Sequence, residues 1–520
     1  MTQQENVTRR DFIKSSALCG VSLATLGLTG LTGCTGDDSF YNEGAFTLKD
    51  NNTGSGLKVI DPLAPKPNII VIFTDDQGYG DVGCYGSKSV KTPHMDQIAN
   101  NGVRFTDFYA CNAMCTPSRL GLLTGRYPQR GGLAQIIRPE PNLKSKMITK
   151  LGQTLGKYGV VDVGTAPELN GIPGDEITMP EALKKVGYRT GMIGKWHLGD
   201  YTKDPEFFPT RHGFDHYYGV PYANRMVPLP MYHNEERVID HIEDQAEITS
   251  LYTKGAIEFI EASNKEPFFL YLAHTFPHEP IYASEKFKGK SNGGLYGDVI
   301  EELDWSVGKI VKCLKDNGLE ENTLLMFTSD NGPIVNGSTG GLRGSKGLSF
   351  EGGFRVPFMA QWPKHIPKGL VCREPVMNID IFPTTLALAG IQQPQDRIID
   401  GKDIFGQMTG RIKDSPHDSL FFYHHNELEG IRSGKWKYFR YVNSYQYPNP
   451  IDKPHTLLGK LAGKKAKSEA IQWPALYNME IDPFERYNLM QTYPEIGNRL
   501  LAKLENWENQ IAENPRGWIS

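Results

Sequence analysis

Three uninterrupted apolar runs constrain this chain more than any other feature. PNIIVIFTDD (Pro67 to Asp76), EPFFLYLAHTFPHEP (Glu266 to Pro280) and NTLLMFTSDNGP (Asn322 to Pro333) lack the apolar–polar alternation of a half-exposed strand. Unbroken β-branched and aromatic residues in such short segments suit strands covered on both faces, the condition of a parallel sheet. Each run passes directly into residues that titrate or bind cations: Asp75-Asp76, His274 with His278, and Asp330-Asn331. Shorter strands are expected in GYRTGMIGKWHLG (Gly187 to Gly199) and FRVPFMAQWP (Phe354 to Pro363). Helices are expected over Met179 to Val186, Tyr296 to Asn317 and Asp380 to Ala389. Strands alternating with helices predict an α/β fold: a central mixed, mostly parallel sheet flanked by helices, with ligands gathered at the carboxyl ends of the strands.

The 520 residues suffice for one large domain and a smaller one. From about Asp414 the texture changes. SLFFYHHNELEGIRSGKWKYFRYV reads as antiparallel strands with turns at Glu429-Gly430 and Ser433-Gly434, and PALYNMEIDPFERYNL leads into an amphipathic helix over Pro494 to Ala512. Residues 65–413 are therefore expected to form the main domain, and 414–520 a smaller α+β subdomain built on an antiparallel sheet. The 55 Gly and 34 Pro fit long loops around a site. A net charge of −4 gives no electrostatic footprint for nucleic acid, so no such partner is expected.

Ahead of these lies T-R-R-D-F-I-K (Thr8 to Lys14), followed by an uncharged stretch to Gly33. Paired arginines before a moderately apolar run form a twin-arginine export address. A transmembrane anchor is the alternative on length, but the Gly, Ser and Thr content disfavours it. LTGC (Leu31 to Cys34) looks like a bacterial lipobox with Cys34 lipidated. Residues 1–33 are thus expected to be a twin-arginine lipoprotein signal, and 34–64 a polar, Gly-rich tether. The mature protein would be lipid-anchored in the bacterial envelope, in the periplasm or at the outer membrane surface; Asp37-Asp38 favours the latter.

Adjacent carboxylates at the end of a buried strand repel one another and lose hydration, which is costly unless a cation offsets it. Singly, Asp75-Asp76 or Asp330-Asn331 suits an Asx turn. Two such pairs at the ends of parallel strands point to metal, and oxygen donors without paired Cys or His suit Ca²⁺ or Mg²⁺ rather than zinc. Lys195 and His197 in GKWHLG, His278 in PHEP, Lys346 in GSKG and Arg119 can converge on an anion, with His274 a competitor to His278. Among seven cysteines, Cys111 and Cys115 are spaced for a disulfide in an exported protein. Cys115 also precedes Thr-Pro at an expected helix start, where the positive helix end favours an anion or an anionic nucleophile. On the residues alone both readings of Cys115 stand.

CTPSRLGLLTGR (Cys115 to Arg126) resembles the C-x-P-S-R-x-x-x-L-T-G-R signature of the type I, formylglycine-dependent sulfatases at every specified position. Gly187 to Gly199 resembles their second signature. DDQGYGD, SDNG, PHEP, GSKGLSFEGGFRVP and LYNMEIDPFERYNL complete the series in order. The segments FFPTRHGFDHYYG and GLSFEGGFRVP look most like the arylsulfatase A and N-acetylgalactosamine-6-sulfatase branch. The resemblance runs from Pro67 to the C-terminus.

What the resemblance implies is an alkaline-phosphatase-like fold that removes sulfate from a sulfated carbohydrate or an aryl sulfate. It implies that a formylglycine-generating enzyme oxidises Cys115 to Cα-formylglycine; with twin-arginine export of the folded protein, this must precede export. One Ca²⁺ would be held by Asp75, Asp76, Asp330, Asn331 and the modified Cys115. Asp330 would help deprotonate the attacking hydroxyl, and Arg119 and His197 would hold the aldehyde hydrate. Lys195 and Lys346 would clamp sulfate oxygens. His278, preferred to His274 for its HEPIYAS context, would protonate the leaving alcohol. His212, His233, Asn224, Arg225, His424 and His425 are loop candidates for sugar subsites on a sulfated glycan. Two rivals remain: a phosphate or phosphonate ester hydrolase of the same superfold, and a non-catalytic glycan-binding protein, which would break at least one motif. No motif is broken.

Overall fold

Every one of the three apolar runs becomes a fully buried strand. The computed structural model describes residues 65–137, 169–334, 336–442 and 473–519, together with the backbone of Ala45–Phe46 and Val59–Ile60. Those two short strands pair antiparallel inside the expected tether, a correction to its reading as unstructured chain. The export signal and Cys34 lie outside the described residues.

The main sheet has ten strands: β1 (Asn68–Thr74), β2 (Val103–Phe105), β3 (Arg189–Lys195), β4 (His216–Val220), β5 (Met231–His233), β6 (Glu236–Ile239), β7 (Phe268–Ala273), β8 (Thr323–Ser329), β9 (Phe358–Gln361) and β10 (Leu370–Cys372). Their order is β10-β2-β9-β8-β1-β7-β3-β4-β5-β6. The centre, β8-β1-β7-β3-β4, is parallel throughout, while β9, β5 and β6 run antiparallel to their neighbours.

Helices cover both faces, which is why β1 shows no polar alternation. Its Ile69, Val71 and Phe73 pack with Leu120 and Leu123, Met179 and Leu183, and Phe382. These come from α2 (Cys115–Thr124), α3 (Met179–Lys184) and α6 (Ile381–Leu388). The intervening Ile70 and Ile72 pack with Met95 and Ile98, Tyr252 and Phe259, and Leu303 and Val307. Those lie on α1 (Pro93–Asn101), α4 (Ile248–Ala262) and α5 (Gly294–Asp316). Among the described residues no helix is long and apolar enough to cross a membrane.

A second, antiparallel sheet follows: β11 (Leu420–His424), β12 (Glu427–Ser433), β13 (Trp436–Phe439) and β14 (Ala475–Asn478), in that order. With α7 (Pro494–Glu513) it closes a third apolar cluster that also takes in Tyr109, Ala113, Leu348 and Phe354 from the main domain. The expected turn at Glu429-Gly430 is a correction, because both residues lie within β12. The chain reverses at His425-Asn426 instead, where His425 adopts the left-handed backbone at φ 54°. Gly430 serves close packing: a Cβ there would stand 2.4 Å from the Phe439 ring.

Candidate active site

Because β8, β1, β7 and β3 are parallel and in register, their carboxyl ends bring distant residues to one edge. Ser329 pairs with Thr74, and Ala273 with Phe73 and Gly194. One residue further along each strand stand Asp330, Asp75, His274 and Lys195. Asp76 (φ 67°) and His197 (φ 58°) both occupy the left-handed region, which non-glycine residues hold only when their surroundings over-determine it.

At this edge, α2 points its first residue into the carboxylates. Cys115 Sγ lies 3.2 Å from Asp75 Oδ1, 3.9 Å from Asp76 Oδ1 and 3.1 Å from Lys346 Nζ. Lys195 Nζ meets Asp75 Oδ2 at 2.5 Å, and Lys346 Nζ meets Asp76 Oδ1 at 2.5 Å. One helical turn after Cys115, on the same face, Arg119 holds Asp330 Oδ2 through Nε (3.1 Å) and a terminal nitrogen (2.8 Å), and donates to the Lys195 carbonyl. Asn331 Nδ2 donates to Asp76 Oδ1 at 2.7 Å. All of these side chains are buried. Of the two readings of Cys115 that the residues leave open, the bridge to Cys111 is absent, both cysteines being free; the Cys111 thiol packs against the backbone of α2 near Pro117.

Electrostatics follow from burial set against close charge. Burial works against ionisation of Asp75, but Lys195, His278, Arg119 and Lys346 together hold its carboxyl well below the usual range. Burial, reinforced by Asp75, lifts Asp330 to about 7. Burial and Asp75 push the Cys115 thiol far up, and burial lowers His278 to about 3 despite Asp76.

The cluster has the composition of a cation site. Ligand atoms of Asp75, Asp76, Cys115 and Asp330 lie within 4.8 Å of one another. Asp76 Oδ2 and Asn331 Oδ1 are buried with no hydrogen-bond partner. Orphaned buried acceptors are rare and costly, and a cation would satisfy both. The donor set is hard oxygen except for one sulfur, so the residues fit Ca²⁺ or Mg²⁺ best if the group at position 115 presents oxygen.

The histidines separate cleanly. His278 Nε2 stands 3.8 Å from Asp76 Oδ2, facing the cluster. His274 turns away, its Nε2 3.3 Å from Ser306 Oγ on α5. His197 Nε2 meets the Ile137 carbonyl at 2.9 Å; a carbonyl only accepts, so Nε2 carries the proton and Nδ1 keeps a buried lone pair without a partner. The loop bearing Lys346 is held by Lys346 N to Pro333 O and Gly347 N to Ala113 O. The short helix Glu351–Phe354 that follows this loop approaches the Asn331 segment so closely that a Cβ on Gly332 would stand 1.8 Å from the Gly352 carbonyl oxygen.

Comparison with known proteins matches this site to a family. The sulfatase family profile spans residues 67–391, and that of the C-terminal region of aryl-sulfatase spans 415–518. The chain belongs to the sulfatase family. N-acetylgalactosamine-6-sulfatase of Rattus norvegicus is 36% identical over 474 residues, 86% of each chain. Arylsulfatase A of Bos taurus is 34% identical over 484 residues, 86% of this chain and 87% of that one. A solved sulfatase from Pseudoalteromonas sp. superposes with a TM-score of 0.72 at 26% identity, covering 88% of this chain and 93% of its own. This chain is therefore a sulfatase, an enzyme that hydrolyses sulfate esters, on the mixed-sheet fold described above.

Of the loop candidates for sugar subsites in this sulfatase, His212 and His233 pack against other rings, while His424 and Asn224 adjoin residues of the site itself. His212 is buried and stacked on Trp196, with ring centroids 5.8 Å apart. His233 ends β5 and packs against His216, and His424 ends β11 with Nδ1 3.0 Å from the Gly347 carbonyl. Asn224 is fully buried beside His278. No sequence signal linked Asn224 to His278, because 54 residues separate them and loop packing alone brings them together.

Proposed function

We propose that this sulfatase desulfates a sulfated carbohydrate with Cys115 converted to Cα-formylglycine and one Ca²⁺ held by Asp75, Asp76, Asp330, Asn331 and residue 115. One observation carries the proposal: an oxygen cage with two unpartnered acceptors, Asp76 Oδ2 and Asn331 Oδ1, closes around Cys115 Sγ. Sulfur is the misfit in that donor set, and replacing it with aldehyde-derived oxygen makes the set uniform. Such a hydrated aldehyde supplies one hydroxyl to attack sulfur and a second whose ionisation releases sulfate.

In this reading the chain's own residues take the remaining tasks. Arg119 braces Asp330, which helps take the proton from residue 115. Lys195 and Lys346, now paired with Asp75 and Asp76, hold the sulfate oxygens once a metal cation occupies those carboxylates. His197 accepts a proton at its bare Nδ1 as residue 115 returns to the aldehyde. His278 protonates the departing alcohol from Nε2; burial holds the ring neutral, and the negative charge of a bound sulfate favours the imidazolium that carries this proton.

A carbohydrate substrate is supported by the relatives' own names, among them N-acetylgalactosamine-6-sulfatase, and by a structural neighbour at 28% identity solved with a neocarrahexaose. We also propose twin-arginine export with Cys34 lipidated. Sulfate release from a panel of sulfated mono- and oligosaccharides, with paired 4-nitrophenyl sulfate and phosphate, tests the reaction. At least one sugar sulfate is turned over, and aryl sulfate faster than aryl phosphate; the reverse preference would overturn the assignment.

A further inference from the structure

The proposed acid, His278, is held by two buried amides that the sulfate chemistry itself does not use. His278 Nδ1 lies 3.1 Å from Asn224 Oδ1. Asn224 Nδ2 sends its two hydrogens to Gln245 Oε1 (3.0 Å) and to the Pro280 carbonyl (2.7 Å). Gln245 Nε2 donates in turn to the Asn224 backbone carbonyl at 3.1 Å. Both side chains are buried, Asn224 completely.

The direction of every bond follows from the two backbone carbonyls, which can only accept. The Pro280 carbonyl requires Nδ2 of Asn224 on its side, so Oδ1 faces His278. Likewise the Asn224 carbonyl requires Nε2 of Gln245 on its side, so Oε1 faces Asn224. An amide oxygen has only lone pairs to offer, so the nitrogen of His278 that meets it must carry hydrogen. Flipping either amide would set two acceptors against each other in a buried site.

We infer that Asn224, backed by Gln245, is a positioning residue that keeps Nδ1 of His278 protonated and turned from the carboxylates, leaving Nε2 as the atom that exchanges the catalytic proton. The chain folds back for this purpose: Asn224 follows β4, Gln245 precedes α4, and Pro280 lies two residues beyond His278. The arrangement parallels other active sites in which the far nitrogen of a working histidine is fixed by a second side chain. It rests on the proposed role of His278 as leaving-group acid.

A leaving-group comparison tests it. Asn224→Leu, Gln245→Leu, His278→Ala and the Asn224→Leu/His278→Ala double variant are assayed on 4-nitrophenyl sulfate and on the best-turned-over sugar sulfate, with thermal melts for each. A phenolate departs without help, whereas a sugar alkoxide needs the proton, and general-acid assistance is worth about 10²–10⁴-fold. The inference expects Asn224→Leu to lose roughly tenfold or more in kcat on the sugar sulfate and far less on the aryl sulfate. Gln245→Leu should show the same selectivity at smaller size, and the double variant should fall no further than His278→Ala. Equal losses on both substrates, or additive losses in the double variant, would overturn the role of Asn224 alone. Absence of leaving-group selectivity in His278→Ala itself would overturn the role of His278, and this inference with it.

Discussion

At the residue scale, most of the site's carboxylates and cations were legible in sequence because they stand at the end of a buried strand, whereas Arg119 inside α2 and Lys346 in a loop were legible only through the resemblance of their motifs. Asp75, Asp76, Asp330 and Lys195 needed only the recognition of a buried strand, since a parallel sheet delivers its carboxyl ends to one edge. The choice between His274 and His278 was not legible from chemistry, because both follow β7 within five residues. Geometry decides it: one faces Asp76 and the other Ser306. His274→Asn should therefore keep sugar-sulfate turnover within a few-fold of wild type, while His278→Ala loses about 10²-fold or more; comparable losses would contradict the assignment. The unpartnered Asp76 Oδ2 and Asn331 Oδ1 carry a second expectation. Chelation should lower Tm, and Ca²⁺ at a hundredfold excess over Kd should restore about 2.7 kcal/mol of stability. Tm insensitive to both treatments would leave the cage without a cation.

At the element scale, the central strands followed from unbroken apolar runs and the long helix α5 from helical spacing, and the failure came where a glycine serves packing rather than turning. Gly430 looked like a turn residue, yet it clears room for Phe439 within β12. Which of 55 glycines plays which part depends on partners far away in sequence. Gly332 is the clearest case in the site. It lies between Asn331 and the short helix that follows the loop carrying Lys346, and an added methyl would collide with backbone rather than with a yielding side chain. Gly332→Ala should cost about 1–3 kcal/mol in denaturant unfolding, with a matching loss of kcat as Lys346 moves from Asp76. An unchanged melt with full activity would show that the two segments are not locked together.

At the scale of the whole molecule, the second sheet reaches into the site through buried charge. Lys437 on β13 is fully buried and bridges Glu351 (2.7 Å), which lies five residues after Lys346, and Glu485 (2.9 Å). Sequence showed a texture change near Asp414 but not this junction, whose members stand far apart in the chain. Lys437→Met strands two buried carboxylates and should destabilise by about 3–5 kcal/mol, read as a lower unfolding midpoint. Burial lifts Glu485 to about 7, with Lys437 opposing and Glu351 reinforcing. A raised carboxyl contributes stability below its unfolded value, near 4.5, and loses it as pH climbs through about 7. Glu485→Gln should remove that loss, so the variant gains on wild type between those pH values; identical pH profiles would contradict a raised Glu485 carboxyl. All these features, from the cage to the second sheet, converge on the group at position 115. Peptide mass spectrometry on active protein from its native host tests that centre most directly. An aldehyde in place of the Cys115 thiol, reactive to hydrazide, is the predicted result, and an unmodified thiol in fully active protein would contradict the account.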